Sequence, residues 1–221
     1  MSKNLDLKFI MATYLRIYEE NPNPKEIAKA VKILKNGGII IYPTDTVYGL
    51  GCDIMNVKAI EKLAQIKGVK VEKADFSFVC HDLSNLSEYV KQIDTPTYKI
   101  LKASLPGAYT FILPANNNIP SIFKKKKTVG IRVPSNNIAR ELAKALGNPL
   151  ISTSIYDKDE VIEYTTDPEL IFEEWKNRVD LMLDGGFGDN QPSTVIDLSV
   201  DPPLIVREGK GSLDLFKIVQ E

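Results

Sequence analysis

The chain has 221 residues, 43% of them hydrophobic, with 28 Lys and Arg against 29 Asp and Glu. That is enough apolar material for one sizeable core, and a formal charge of −1 gives no global sign of nucleic-acid binding, although a local basic groove stays open. Cys52 and Cys80 lack metal-ligand spacing and His81 is the single histidine, which excludes a histidine-rich metal centre and any mechanism needing two histidines.

Two cysteines of this kind point to reduced thiols in a cytoplasmic protein. No run approaches the length of a membrane span, and residues 1–10 lack the basic-then-apolar form of a signal peptide. Residues 12–18 alternate like a strand, so Met11 is a candidate start. Residues 1–23 are read as an N-terminal extension with a first strand, and residues 24–221 as the main domain.

Asn23 and Pro24 open a helix, with Glu26 at the capping-box position. Ile27, Val31 and Leu34 share its inner face, and Gly37 stops it. The stretch GGIIIYPTDTVYGLGCD follows, residues 37–53. Its β-branched run reads as a buried strand that Pro43 ends, followed by Thr44, Asp45 and Thr46. Gly49 and Gly51 are expected to let the backbone turn back and approach something closely. Hydroxyls and a carboxylate at a strand end suit a small polar ligand, and they also suit an ordinary turn.

A second helix is expected over residues 56–67. Lys67 at its end either compensates the helix dipole or projects toward a phosphate. Residues 76–80 read as a strand, and His81 as a surface or hydrogen-bonded histidine. Residues 83–90 and 96–104 read as helical, and residues 109–113 as a strand. Lys124 to Lys127 form the densest basic run, which suits solvent or, alternatively, phosphate. Arg132 interrupts the apolar strand of residues 128–133 and needs either a structural carboxylate or an anionic ligand, because an unpaired buried charge is expensive. Asn136 caps a helix that Gly147 stops. Ser152, Thr153 and Ser154 end a further strand, and residues 165–168 read as a helix entry. Ser193 and Thr194 precede a strand, and Arg207 ends the last one. Alternating strands and helices favour an α/β sheet with its site in strand-end loops.

PTDTVYGLGCD, the KG after the next helix, GIRVP, the TS step, PST before a strand and VREG occur here in one order. On these motifs the chain resembles the YrdC-like family of threonylcarbamoyl-AMP synthases over about residues 24–211. The resemblance implies a twisted α/β sheet of mixed parallel and antiparallel strands, flanked by helices, around a basic concave groove. It also implies an L-threonylcarbamoyladenylate synthase that joins threonine, bicarbonate and ATP, with Mg²⁺ held by phosphates and water, and releases pyrophosphate for tRNA modification. Carried over by position, Thr46, Arg132 and Ser193 would hold threonine. Lys67 and Arg207 would face the ATP phosphates, with Ser154 and Thr165 at the nucleotide. The chain departs from the synthase pattern at Val69, where an arginine is usual, and at Ile155 and Tyr156, where the family has Ala-Asn. These changes, with RVPSN, STS and TVIDL, resemble the YciO branch. Two alternatives accompany the synthase reading: a non-catalytic binder of double-stranded RNA, tRNA or rRNA, and an adenylate-forming enzyme with another substrate.

Overall fold

The computed structural model describes residues 11–155 and 166–214. Four strands fall in the first part of the chain: β1 (Thr13–Arg16), β2 (Ile40–Tyr42), β3 (Gly49–Asp53) and β4 (Ser77–Val79). Three follow in the middle: β5 (Tyr109–Pro114), β6 (Thr128–Arg132) and β7 (Leu150–Ser154). The last three are β8 (Leu181–Asp184), β9 (Thr194–Asp197) and β10 (Leu204–Arg207). They form one sheet in the order β1-β8-β2-β3-β7-β4-β6-β5-β9-β10. Parallel pairs such as β1/β8 and β5/β9 mix with antiparallel ones such as β2/β3 and β5/β6, as the resemblance implies.

Helices cover both faces, so β2 and β8 are buried on both sides and read as continuous apolar runs. The strand alternation sorts the side chains. Ile40, Tyr42, Leu181 and Leu183 join one cluster with α1 (Pro24–Lys35) and α4 (Asn137–Leu146). Ile39, Ile41 and Met182 join the other, with α2 (Val57–Ile66), α3 (Thr95–Ser104) and α5 (Pro168–Trp175). Caps lie where the sequence puts them: Asn23, Asn56, Asn136 and Asp167 each accept a backbone N–H of the first turn. β1 pairs with β8 along its whole length, and the flanking Ala12 and Ile17 are core residues, which ties the first strand into the sheet.

Two expectations are corrected. Gly49 and Gly51 do not turn the chain; they lie inside β3, which pairs antiparallel with β2. The expected close approach holds, and it is to the Tyr42 ring. A Cβ on either would come within about 3 Å of the Tyr42 ring, at 3.0 Å for Gly49 and 2.9 Å for Gly51. Residues 83–90 hold only the 3₁₀ turn Leu86–Glu88 rather than a helix. Leu83, Leu86, Tyr89 and Val90 still turn to the core, but Asp82 accepts from the Ser84 N–H in a local turn that competes with a helical start.

Candidate functional site

The site grows from the turn between β2 and β3. Thr44 Oγ1 donates to the Val47 carbonyl at 2.8 Å and accepts from the Thr46 N–H at 3.1 Å, an arrangement that fixes the turn without a regular element. Arg132 arrives from the end of β6. Its Nη2 donates to Asp45 Oδ1 at 2.5 Å, Thr46 Oγ1 at 2.6 Å and Thr44 Oγ1 at 3.2 Å. Both ion-pair partners are enclosed, with side chains 11% and 8% exposed. The second Asp45 oxygen accepts from the Ser135 N–H at 2.9 Å. Arg132 Nε is buried with no partner among the described residues, so one donor remains unspent.

The second half comes from β9 and β10. Arg207 donates from Nε and Nη2 to the Ser193 carbonyl, at 3.1 and 2.8 Å, and from Nη2 to Ser193 Oγ at 3.2 Å. Ser193 Oγ is also 2.9 Å from Thr110 Oγ1. The Arg207 stem lies on an exposed edge strand, but its head is tucked against Ser193. Desolvation, and then the nearby charge of Arg132, lower its pKa. The two guanidinium groups therefore stand close enough to feel one another. Among the described residues, Asp45 is the only carboxylate paired with either.

Thr46, Arg132, Ser193 and Arg207 are thus brought together as one group. Thr46 is fully enclosed and Ser193 nearly so, with their hydroxyls turned to the arginine heads. Lys67 caps the C-terminus of α2, and Ser154 ends β7 opposite Gly49. Among the described residues, no bond of the arginine group includes either. Thr165 and Tyr156 lie outside the described residues. Val69, where the synthase pattern has arginine, is exposed in the turn after α2. His81 is a surface residue 3.3 Å from Asp82, and Lys124, Lys125 and Lys127 are exposed, whereas Lys126 donates to the Ala74 carbonyl.

Two contributors escape a reading by motif. Asp45 is the carboxylate that Arg132 needed, and its place between two threonines of the turn was the available signal. Lys210 reaches the Asp45 carbonyl at 2.7 Å and Asp189 at 2.6 Å, and with Thr44 and Asp45 it lines a wide-mouthed cavity of about 510 Å³. The Lys210 ammonium holds the Asp189 carboxyl below its usual range. No helix among the described residues is long and apolar enough to cross a membrane.

Comparison with known proteins agrees with this architecture. The chain is 41% identical over 190 residues to YciO of Escherichia coli K12, covering 85% of this chain and 90% of that one. It superposes on the crystal structure of E. coli YciO with a TM-score of 0.85, covering 93% of this chain and all of the other. A threonylcarbamoyl-AMP synthase of Nitrosococcus oceani is 36% identical over 126 residues, which is 57% of this chain and 68% of that enzyme. Residues 32–209 match the model of the Sua5/YciO/YrdC family, described as telomere recombination, and the chain belongs to that family.

Proposed function

We propose that the protein binds ATP and an amino acid and forms an acyl-type adenylate, with L-threonylcarbamoyladenylate synthesis from threonine, bicarbonate and ATP as the leading reaction. One observation carries this reading: the enclosed Arg132 and the half-buried Arg207 are near enough for their charges to oppose one another, and among the described residues Asp45 is the single carboxylate paired with either. Such a site has an excess positive charge that an anion would neutralise. Threonine supplies a carboxylate and ATP supplies phosphates.

In this reading Arg132 takes the threonine carboxylate, with the Thr46 and Ser193 hydroxyls at the same substrate, while Asp45 orients the Arg132 guanidinium and the Ser193 carbonyl holds Arg207. Arg207 faces the phosphates, with Lys67, Ser154 and Thr165 completing the nucleotide side. The threonine amine and bicarbonate combine to a carbamate with loss of water; attack of a carbamate oxygen on the α-phosphorus forms the new P–O bond, the bond to the α,β-bridging oxygen breaks, and pyrophosphate leaves with that electron pair. The protein's share is alignment and charge neutralisation, which needs no protein nucleophile. Mg²⁺ would arrive on the triphosphate, coordinated by phosphate and water oxygens; among the described residues no group of three or more His, Cys, Asp or Glu could cage it. Synthase homologues support the reaction class, and the kinship to YciO leaves the acceptor amino acid as the point to test.

The test is pyrophosphate release with ATP, threonine and bicarbonate, followed by mass spectrometry of the mixed anhydride made with labelled threonine. Release should require all three substrates and fall at least about a hundredfold in Arg132→Ala. Release indifferent to threonine would overturn the threonine assignment, and screening other amino acids would then identify the acceptor.

A further inference from the structure

The loop after β8 holds out an aromatic ring that the core does not use. Phe187 is 79% exposed, between Gly186 and Gly188. The loop that carries it is tied down at four points. Tyr48 Oη donates to the Gly186 carbonyl at 2.6 Å and accepts from the Gly185 N–H at 3.1 Å. The Gly188 N–H donates to the Thr166 carbonyl at 2.7 Å, and the Asp189 N–H to the Thr46 carbonyl at 3.3 Å. Gly188 packs so closely on the Tyr48 ring that a Cβ would stand 2.8 Å from it. Phe187 is therefore presented by a fixed scaffold.

It is presented to a cavity. Phe187 lines the space of about 510 Å³ shared with Glu19, Thr44, Asp45, Asp189 and Lys210, a volume in the range of small-molecule sites. The charges decide what part of a ligand fits there. Asp45 is neutralised by Arg132 and Asp189 by Lys210, while Glu19 has no ion-pair partner among the described residues. The remaining negative charge repels a phosphate or carboxylate. It suits a neutral group that donates hydrogen bonds, and the exposed ring suits a flat π-face. Arg132 adjoins this cavity through the turn, since Thr44 and Asp45 both line the cavity and bond it.

We infer that Phe187 is a stacking platform for a nucleobase that carries an exocyclic amine, with the Glu19 carboxylate accepting from that amine. The inference rests on the nucleotide reading above and assigns the base end of the ligand to this cavity. The base can come from free ATP or from a nucleotide in a single-stranded RNA, and the probes separate the two.

Phe187→Trp sets an indole at the cavity, and the chain's own Trp175 is buried and so a quiet background. With the full-length protein, adenosine and ATP should quench the new emission, tripolyphosphate should not, and UTP, lacking the amine, should quench more weakly. Phe187→Ala should weaken ATP binding about tenfold and leave tripolyphosphate binding unchanged. Wild-type affinity for ATP in Phe187→Ala overturns the inference, and equal quenching by UTP overturns the amine assignment. If the wild-type protein binds no ATP, the proposed function fails by itself. Quenching of Phe187→Trp by hexa-adenylate then keeps the base platform with RNA as its source, and silence to hexa-adenylate, adenosine and ATP alike overturns it.

Discussion

Two arginine–carboxylate pairs of equal length, 2.5 Å, sit at strand ends of this sheet and are different objects. At the β1/β8 edge, Arg16 meets Asp184 with the carboxylate enclosed and the guanidinium half in water, 51% exposed. Asp184 also accepts from Tyr14 Oη at 2.7 Å and from the Gly186 N–H at 2.8 Å. In the centre, Arg132 and Asp45 are both enclosed, a second arginine stands close by, and one donor is left over. The first pair ties a loop to a strand and is complete. The second is enclosed, keeps an unpaired Nε donor and sets two guanidinium charges against one carboxylate, surroundings that favour binding an anion. Length alone would not separate them; burial and the count of partners do.

Breaking the central pair should cost most. Asp45→Ala strands the Arg132 charge in the interior beside Arg207. The expected loss is about 3 kcal/mol, the low end for removing one partner of a buried pair, because the Thr44 and Thr46 hydroxyls still accept. Urea unfolding should show it as a lowered midpoint at unchanged slope. Adding a millimolar anion such as pyrophosphate should raise the midpoint of the wild type, and that of this variant by more, because losing the carboxylate enlarges the positive excess. A variant as stable as the wild type would mean that Arg132 turns out to solvent and that no charge deficit exists.

The contrast also explains what could be read before the fold was known. Helices α1 and α4 were legible because their signals are local: Asn23 before Pro24, Asn136 before an apolar face, and Gly147 at φ 85° just past the end. Arg132 and Arg207 drew notice because each is a charge in an apolar strand. β3 was not legible, since Gly49 and Gly51 answer to the Tyr42 ring across a hairpin, a relation that no window on β3 contains. Asp45 was visible as a residue, but its pairing spans 87 positions to Arg132. The exposure of Phe187 depends on what Tyr48 and Thr166 do to its loop. Sequence marks the groups that need partners, and the partners themselves are a property of topology.

At the edge pair the largest effect should be smaller and should depend on pH. Burial pushes the Asp184 acid up, but Arg16, the Gly186 N–H and Tyr14 together outweigh it and hold its pKa below the usual range. A carboxyl with a lowered folded pKa contributes its full stabilisation above the unfolded value, roughly pH 4, and loses it as pH falls through the folded value. Asp184→Asn should therefore cost about 2 kcal/mol at pH 7, as expected for hydrogen bonds to a charged group, and much less at pH 2–3. Thermal melts of both proteins across that window measure it. A constant gap would mean that Asp184 is not ionised in the folded state.

The smallest effect should come from Arg16→Ala. Its head is half in solvent, so its ion pair is screened and its loss leaves Asp184 with the Tyr14 hydroxyl and the Gly186 N–H. A cost of about 0.5 kcal/mol is expected, shrinking further in molar salt. The number matters because it calibrates the central pair. If Arg16→Ala costs as much as Asp45→Ala, then exposure does not distinguish the two pairs, and the case for an anion between Arg132 and Arg207 loses its electrostatic basis.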